Sequence, residues 1–229
     1  MNFKPLVAIT LDLDDTLWPV WPNIEAAERD LLAWLSTNAP RTATRFDAAA
    51  LRAQRNAVLQ DHPEWAHDLG ALRKEGLRRA LIAAGDDPAL AEPGFEVFYA
   101  ARQRVQMFDD ALPALERLSA RYPLLALTNG NADIERVGIG RFFRGAVSAH
   151  QVGFGKPDAR IFHEACRRLE LQPAQVLHVG DDGLLDVVGA LGAGLQAAWI
   201  DRSESVAEGA LADVPRFNDM ASLADALGC

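Results

Sequence analysis

Apolar and polar positions divide this chain into two regimes. From Leu6 to Leu13 an apolar run with β-branched members reads as a buried strand. Apolar positions then recur at helical spacing for most of the next hundred residues. Ile24, Ala27, Leu31 and Leu35 share one face of a first helix, which Pro40 is expected to end. Asp47 reads as the cap of a second helix carrying Leu51 and Val58. Leu69, Leu72, Gly76 and Ala80 line a third, which stops at Gly85. Asp87 followed by Pro88 opens a fourth, with Phe95, Phe98, Arg102 and Val105. Four amphipathic helices with short connections predict a small bundle.

From about Asp109 the pattern alternates. A helix with Leu112, Leu115 and Leu118 leads into a strand over 123–128, and further strands are expected at 146–152, 176–180 and 195–200, with helical segments between them. Such alternation predicts an α/β fold: a doubly wound, mostly parallel, Rossmann-like sheet with the four-helix bundle inserted after the first strand. Residues 1–17 and 107–229 are expected to form the core, and 18–106 the insertion.

Composition narrows the function classes. The chain has 229 residues, 49% hydrophobic and 24% charged, ordinary values for a soluble globular protein with a sizeable core. A formal charge of -9 argues against nucleic acid or an anionic membrane as partner. Cys166 and Cys229 form neither a metal-binding spacing nor a disulfide framework, and no signal peptide or uncharged membrane-length segment is visible. The expected compartment is the cytoplasm.

The candidate chemistry lies where strands end. Asp12 and Asp14 follow the first strand, and residues two apart on a strand point the same way. Thr128-Asn129-Gly130 follows the second, Gly155-Lys156-Pro157 lies after the third, and Gly180-Asp181-Asp182 follows the fourth, with Asp186 beyond. In a parallel sheet these ends share one edge, so the residues should converge. They suit a phosphate monoester, whose dianion repels an attacking carboxylate: like charges ~4 Å apart cost roughly 4 kcal/mol at an effective dielectric of about 20. A divalent cation held by Asp12 and Asp181 would offset that repulsion, and oxygen ligands favour magnesium over zinc. Lys156 would add positive charge, the Thr128 hydroxyl would hold phosphate oxygens, and Asp14 would be free to move protons. His178, in mid-strand, reads as a satisfied core histidine. Trp18, Trp21 and Trp65 read first as packing residues, with Trp18 and Trp21 also candidate substrate contacts because they follow the acidic motif.

The order Asp-x-Asp-x-Thr, Thr, Lys-Pro, then Gly-Asp-Asp with a later Asp resembles the haloacid dehalogenase (HAD) superfamily of phosphatases. The helical insertion is similar to that superfamily's C1-type cap. The resemblance implies that Asp12 is the nucleophile, forming an aspartyl-phosphate, and that Asp14 protonates the leaving group and then deprotonates water. It implies magnesium bound by the Asp12 carboxylate, the Asp14 backbone carbonyl and Asp181, with Asp186 and Asp182 acting on it through water. Thr128, Asn129 and Lys156 would grip the phosphoryl group, and Thr16 would orient the first loop. Haloacid dehalogenases and phosphonate-cleaving relatives lack the second aspartate, so Asp14 favours phosphate-ester hydrolysis. The segments 127–132, 177–182 and 196–200, and the His67-Asp68 pair with Arg73, are similar to bacterial phosphatases of riboflavin biosynthesis. Those enzymes act on 5-amino-6-(5-phospho-D-ribitylamino)uracil and often on FMN. The alternatives are a general sugar- or nucleotide-phosphate phosphatase, a sugar-phosphate mutase, or a non-catalytic binding protein. A signalling receiver domain also gathers acids, Thr and Lys on a parallel sheet, but in another order and without the helical insertion. The expected partner is a small-molecule phosphate ester, and the expected state a monomer or homodimer.

Overall fold

Ala8-Ile-Thr-Leu11 forms strand β1, buried along its whole length. The computed structural model describes residues 5–202 and 211–229. Five further strands follow: β2 (Leu124–Thr128), β3 (Ala146–Ser148), β4 (Val176–Gly180), β5 (Gln196–Ile200) and β6 (Arg216–Phe217). They form one six-stranded sheet in the order β3-β2-β1-β4-β5-β6, with every neighbouring pair parallel. Near-continuous apolar strands suit a parallel sheet covered on both faces. On one face Leu125, Leu127, Val147, Ile161, Phe162, Val187 and Trp199 belong to a single buried cluster. The strand order reverses direction between β1 and β4, and crevices at such a switch point open at the strands' carboxyl ends. Asp12 and Asp181 directly follow these two strands.

Two sheet elements differ from the sequence expectation. The strand expected over 146–152 stops at Ser148, and Ala149–Val152 coils into a single helical turn. Gly153, at φ 84°, terminates that turn in the left-handed conformation that glycine adopts without a Cβ penalty. Strand β6 has two residues, too few for alternation to mark it.

The chain divides into two compact units, Met1–Pro19 with Gln106–Cys229, and Val20–Val105. The second is helical: α1 (Val20–Asn38), α2 (Pro40–Arg45), α3 (Ala48–Asp61), α4 (Leu69–Ala84) and α5 (Ala91–Arg102). Pro40 opens α2 instead of merely ending α1, because proline at the first helical position loses no intrahelical hydrogen bond. Asp87 caps a 3₁₀ turn over Pro88–Leu90, and α5 begins only at Ala91. Asp47 and Asp68 accept backbone N–H bonds at the starts of α3 and α4. Leu31, Leu35, Leu77, Leu81, Phe95 and Phe98 supply the buried core of this unit. Gly76 lets α4 approach α3 closely: a Cβ there would lie 2.8 Å from the Arg55 backbone nitrogen.

One buried carboxylate ties three of these helices together. Glu28 on α1 pairs with Arg52 on α3 and lies 3.7 Å from Arg73 on α4. Burial, with Arg55 nearby, pulls the Arg73 guanidinium down to about 10. Among the described residues, no helix is long and apolar enough to cross a membrane.

Candidate active site

Asp12 is carried to the sheet edge by β1 and fixed there by its backbone N–H, which donates to Val179 O at 2.9 Å. The chain then turns sharply. Asp15 adopts the left-handed conformation at φ 59°, and its N–H donates to Trp18 O at 2.8 Å. This turn brings Thr16 back over the strand end. Its hydroxyl lies 3.3 Å from Asp12 Oδ2 and 3.1 Å from Asp181 Oδ1, joining the ends of β1 and β4.

Lys156 enters from the loop after β3. Its Nζ donates to Asp12 Oδ1 at 2.5 Å and to Asp186 Oδ1 at 2.6 Å, and all three side chains are buried. Asp186 also accepts the Asp182 backbone N–H at 3.0 Å and lies 2.9 Å from His178 Nε2. His178 completes a chain of contacts to Thr10, whose hydroxyl is 2.9 Å from Nδ1. Burial disfavours the imidazolium, so the His178 pKa lies below the ordinary value. A neutral ring facing a carboxylate donates from Nε2, leaving Nδ1 to accept from Thr10. The core-histidine reading therefore describes its packing, while its ring also anchors Asp186.

Electrostatics separate the three acids. Burial pushes Asp12 well above the usual carboxylate range; Lys156 opposes that rise, while Asp186 and Asp181 reinforce it. Asp181 is pushed up to about 7, first by burial and then by Asp186. Burial acts on Asp186 in the same sense, but the Lys156 ammonium and His178 overcome it and hold this carboxyl well below its ordinary value. Asp12, Asp181 and Asp186 each present an oxygen, and the three oxygens lie within 4.8 Å of one another. Three carboxylates facing one ammonium leave a surplus of negative charge. Hard oxygen donors in that arrangement suit a divalent cation such as magnesium.

The remaining residues singled out from sequence have more specific tasks. Thr128 is buried beside the site, and its Oγ1 accepts the Gly130 N–H at 2.9 Å. Asn129 was expected to hold a phosphoryl oxygen. Its amide instead brackets the Lys156 backbone, donating to Lys156 O at 2.9 Å and accepting from Lys156 N at 2.7 Å. Gly155 permits this approach, since a Cβ there would lie 2.7 Å from Asn129 Oδ1. Asp182 caps the π-helical turn Gly183–Val188, accepting from Leu184 N and Leu185 N at 2.8 Å each. Its Oδ1 is thus engaged by backbone N–H groups, in a residue for which an outer metal role was expected. Trp18, a candidate substrate contact, is fully buried and donates its indole N–H to Asp14 Oδ1 at 2.8 Å. Trp21, in the helical unit, is 52% exposed. Trp199 was not singled out from sequence, yet its indole N–H holds Asp181 O at 2.8 Å. Its sequence signals are a place near the end of the strand beside β4 and membership of the segment 196–200 that carries the family resemblance.

A family model described as haloacid dehalogenase-like hydrolase matches residues 6–194. The 5-amino-6-(5-phospho-D-ribitylamino)uracil phosphatase YigB of Escherichia coli is 34% identical over 205 residues, covering 86% of each chain. A phosphoserine phosphatase of Thermus thermophilus is 30% identical, covering 85% of this chain and 88% of its own. Among solved structures, a 2-haloacid dehalogenase from Pseudomonas syringae pv. Tomato superposes with a TM-score of 0.91 at 35% identity, covering 97% of this chain and 98% of the other.

Proposed function

The chain belongs to the haloacid dehalogenase-like hydrolase family and is a phosphoric monoester hydrolase; on that premise we propose that it dephosphorylates 5-amino-6-(5-phospho-D-ribitylamino)uracil and FMN through an aspartyl-phosphate intermediate. The observation that carries this reading is the Asp12 carboxylate itself, buried at the switch point between Lys156 and the Thr16 hydroxyl. An Asp12 oxygen attacks phosphorus, the bond from phosphorus to the ester oxygen breaks, and its electron pair leaves on that oxygen. Asp14 supplies the proton that the departing alkoxide needs. In the second half-reaction Asp14 takes a proton from water as the water oxygen bonds to phosphorus. The acyl-phosphate linkage then breaks and restores Asp12. Lys156 stays beside the reacting oxygen throughout, held in place by Asp186 and by the Asn129 amide. Magnesium, held by Asp12, Asp181 and the Asp14 carbonyl, would offset the charge of the phosphate dianion. Asp186 would support that site mainly through Lys156. Substrate discrimination is assigned to the helical unit, with Trp21, 52% exposed, as its candidate specificity residue.

The Pseudomonas syringae relative supplies a second reading, hydrolytic removal of halide from a 2-haloacid. Halide leaves without a proton, so a held carboxylate at Asp14 has no task in that reaction. An alkoxide leaving group gives it one. Comparing kcat/KM over a panel decides: the ribitylaminouracil phosphate, FMN, sugar phosphates, phosphoserine and 2-chloropropionate, each with and without magnesium. The expected result is magnesium-dependent turnover of the phosphate esters, greatest for the ribitylaminouracil phosphate. Turnover of 2-chloropropionate alone would overturn the phosphatase assignment, and a flat profile over the esters would overturn the substrate.

A further inference from the structure

We propose that Trp18 is a positioning residue for Asp14, its indole N–H selecting which carboxylate oxygen carries the transferable proton. The inference rests on the acid–base role of Asp14 set out above and goes beyond it. Trp18 is among the largest fully buried side chains, and its one polar atom donates to Asp14 Oδ1 at 2.8 Å. The same short turn fixes both partners: Asp14 and Trp18 form a β-bridge, and Asp15 N donates to Trp18 O. Leu17 N donates back to Leu13 O at 2.8 Å, closing the turn from the other side. The carboxylate and the indole are therefore set by one piece of backbone.

An indole nitrogen only donates. Oδ1 must remain an acceptor whether Asp14 is ionised or protonated, so the acid form carries its proton on Oδ2. Oδ2–H then delivers that proton to the ester oxygen as its bond to phosphorus breaks. Oδ2 recovers a proton from the water that attacks the aspartyl-phosphate. Without the indole donor both oxygens could carry the proton, and part of the population would present the wrong one.

The test separates orientation from packing. Trp18→Phe removes the donor and some volume; β-(3-benzothienyl)alanine at position 18 keeps the ring shape and replaces N–H by sulfur. Kinetics are measured over aryl and alkyl phosphates spanning a range of leaving-group acidity, in the wild type, both position-18 variants, Asp14→Asn and Asp14→Asn/Trp18→Phe. Folding is checked by circular dichroism. Both position-18 variants should lose about tenfold in kcat on alkyl phosphates, part of the range general acids supply. They should lose much less on p-nitrophenyl phosphate, with KM unchanged. In the Asp14→Asn background, Trp18→Phe should cost nothing further. Equal losses across leaving groups, or an undiminished loss in the Asp14→Asn background, would overturn the proposal. If Trp18→Phe fails to fold, the benzothienyl variant decides by the same criterion. Asp14→Asn without leaving-group dependence would instead remove the acid–base role itself and the inference with it. Leaving-group dependence in Asp14→Asn but not in the folded position-18 variants overturns the inference alone.

Discussion

At the sheet edge three carboxylates, Asp12, Asp181 and Asp186, face the single ammonium of Lys156; in the helical unit three guanidinium groups, Arg52, Arg55 and Arg73, gather around the single carboxylate of Glu28. Both arrangements bury surplus charge, which low-dielectric surroundings make costly. They relieve it differently. In the helical unit, cation–π contacts spread part of the surplus over aromatic faces: Arg73 lies 3.7 Å from the Phe98 ring centroid and Arg52 lies 5.2 Å from that of Trp21. At the sheet edge the surplus stays on oxygens crowded within 4.8 Å of one another. The first surplus is absorbed by helix packing, and the second is available to a cation and to chemistry.

Substitutions at the two centres should therefore have opposite signs. The largest effect is expected from Asp12→Asn, which should abolish turnover, with a loss on the order of 10⁴-fold or more, as for other catalytic nucleophiles. The melting temperature of the metal-free protein should hold or rise, because burial and the neighbouring acids disfavour the ionised Asp12 carboxylate. Steady-state assays and thermal melts check both halves, and a clear fall in melting temperature would mean the Lys156 pairing dominates. Glu28→Gln should do the reverse. It removes the carboxylate between Arg52 and Arg73, and loss of one member of a buried ion pair costs about 3 kcal/mol or more. Denaturant unfolding should record that loss while the folded variant keeps its turnover of p-nitrophenyl phosphate. Unchanged stability would show that the aromatic faces alone balance the arginines.

The smallest expected effect is the pH dependence of cation binding. Asp181 is raised to about 7 in the folded state, so its contribution to stability is fully present below its unfolded value of about 4. That contribution is lost as pH rises through about 7. Asp186 runs the other way: its depressed value makes its contribution present above the unfolded value and lost on acidification. Magnesium competes with the Asp181 proton, so the gain in melting temperature on adding magnesium should grow between about pH 5 and about pH 8. A gain constant over that range would remove Asp181 from the ligand set.

The sequence makes the strands and the converging strand ends legible, but not every side-chain commitment. Val176–Gly180 is readable because Val176, Leu177 and Val179, interrupted only by His178, lead into Gly180-Asp181-Asp182. Ala146–Val152 mixes Ser148, His150 and Gln151 with its apolar residues, and its second half coils into a helical turn that Gly153 ends at positive φ. Asp12, Lys156, Asp181 and Asp186 meet because a parallel sheet brings remote strand ends to one edge. Asn129 and Trp18 lie beyond that logic. Whether an amide reaches a ligand or the backbone of Lys156, and whether an indole faces solvent or Asp14, depends on the path of a turn. Spacing alone does not encode it.

The central position of β1 has a consequence for biogenesis. Ile9 is paired with Leu124 on one side and Ala8 with Val176 on the other, so this strand leaves the ribosome long before either neighbour exists. At synthesis rates of 5–20 residues per second the roughly 115 residues between β1 and β2 take about 6 to 23 seconds to make. During that interval an apolar run without partners is prone to self-association. Asp12, Asp14 and Asp15 stand immediately beyond it, where charged residues act as gatekeepers against aggregation. The acids that crowd the finished crevice thus help keep the unfinished chain soluble.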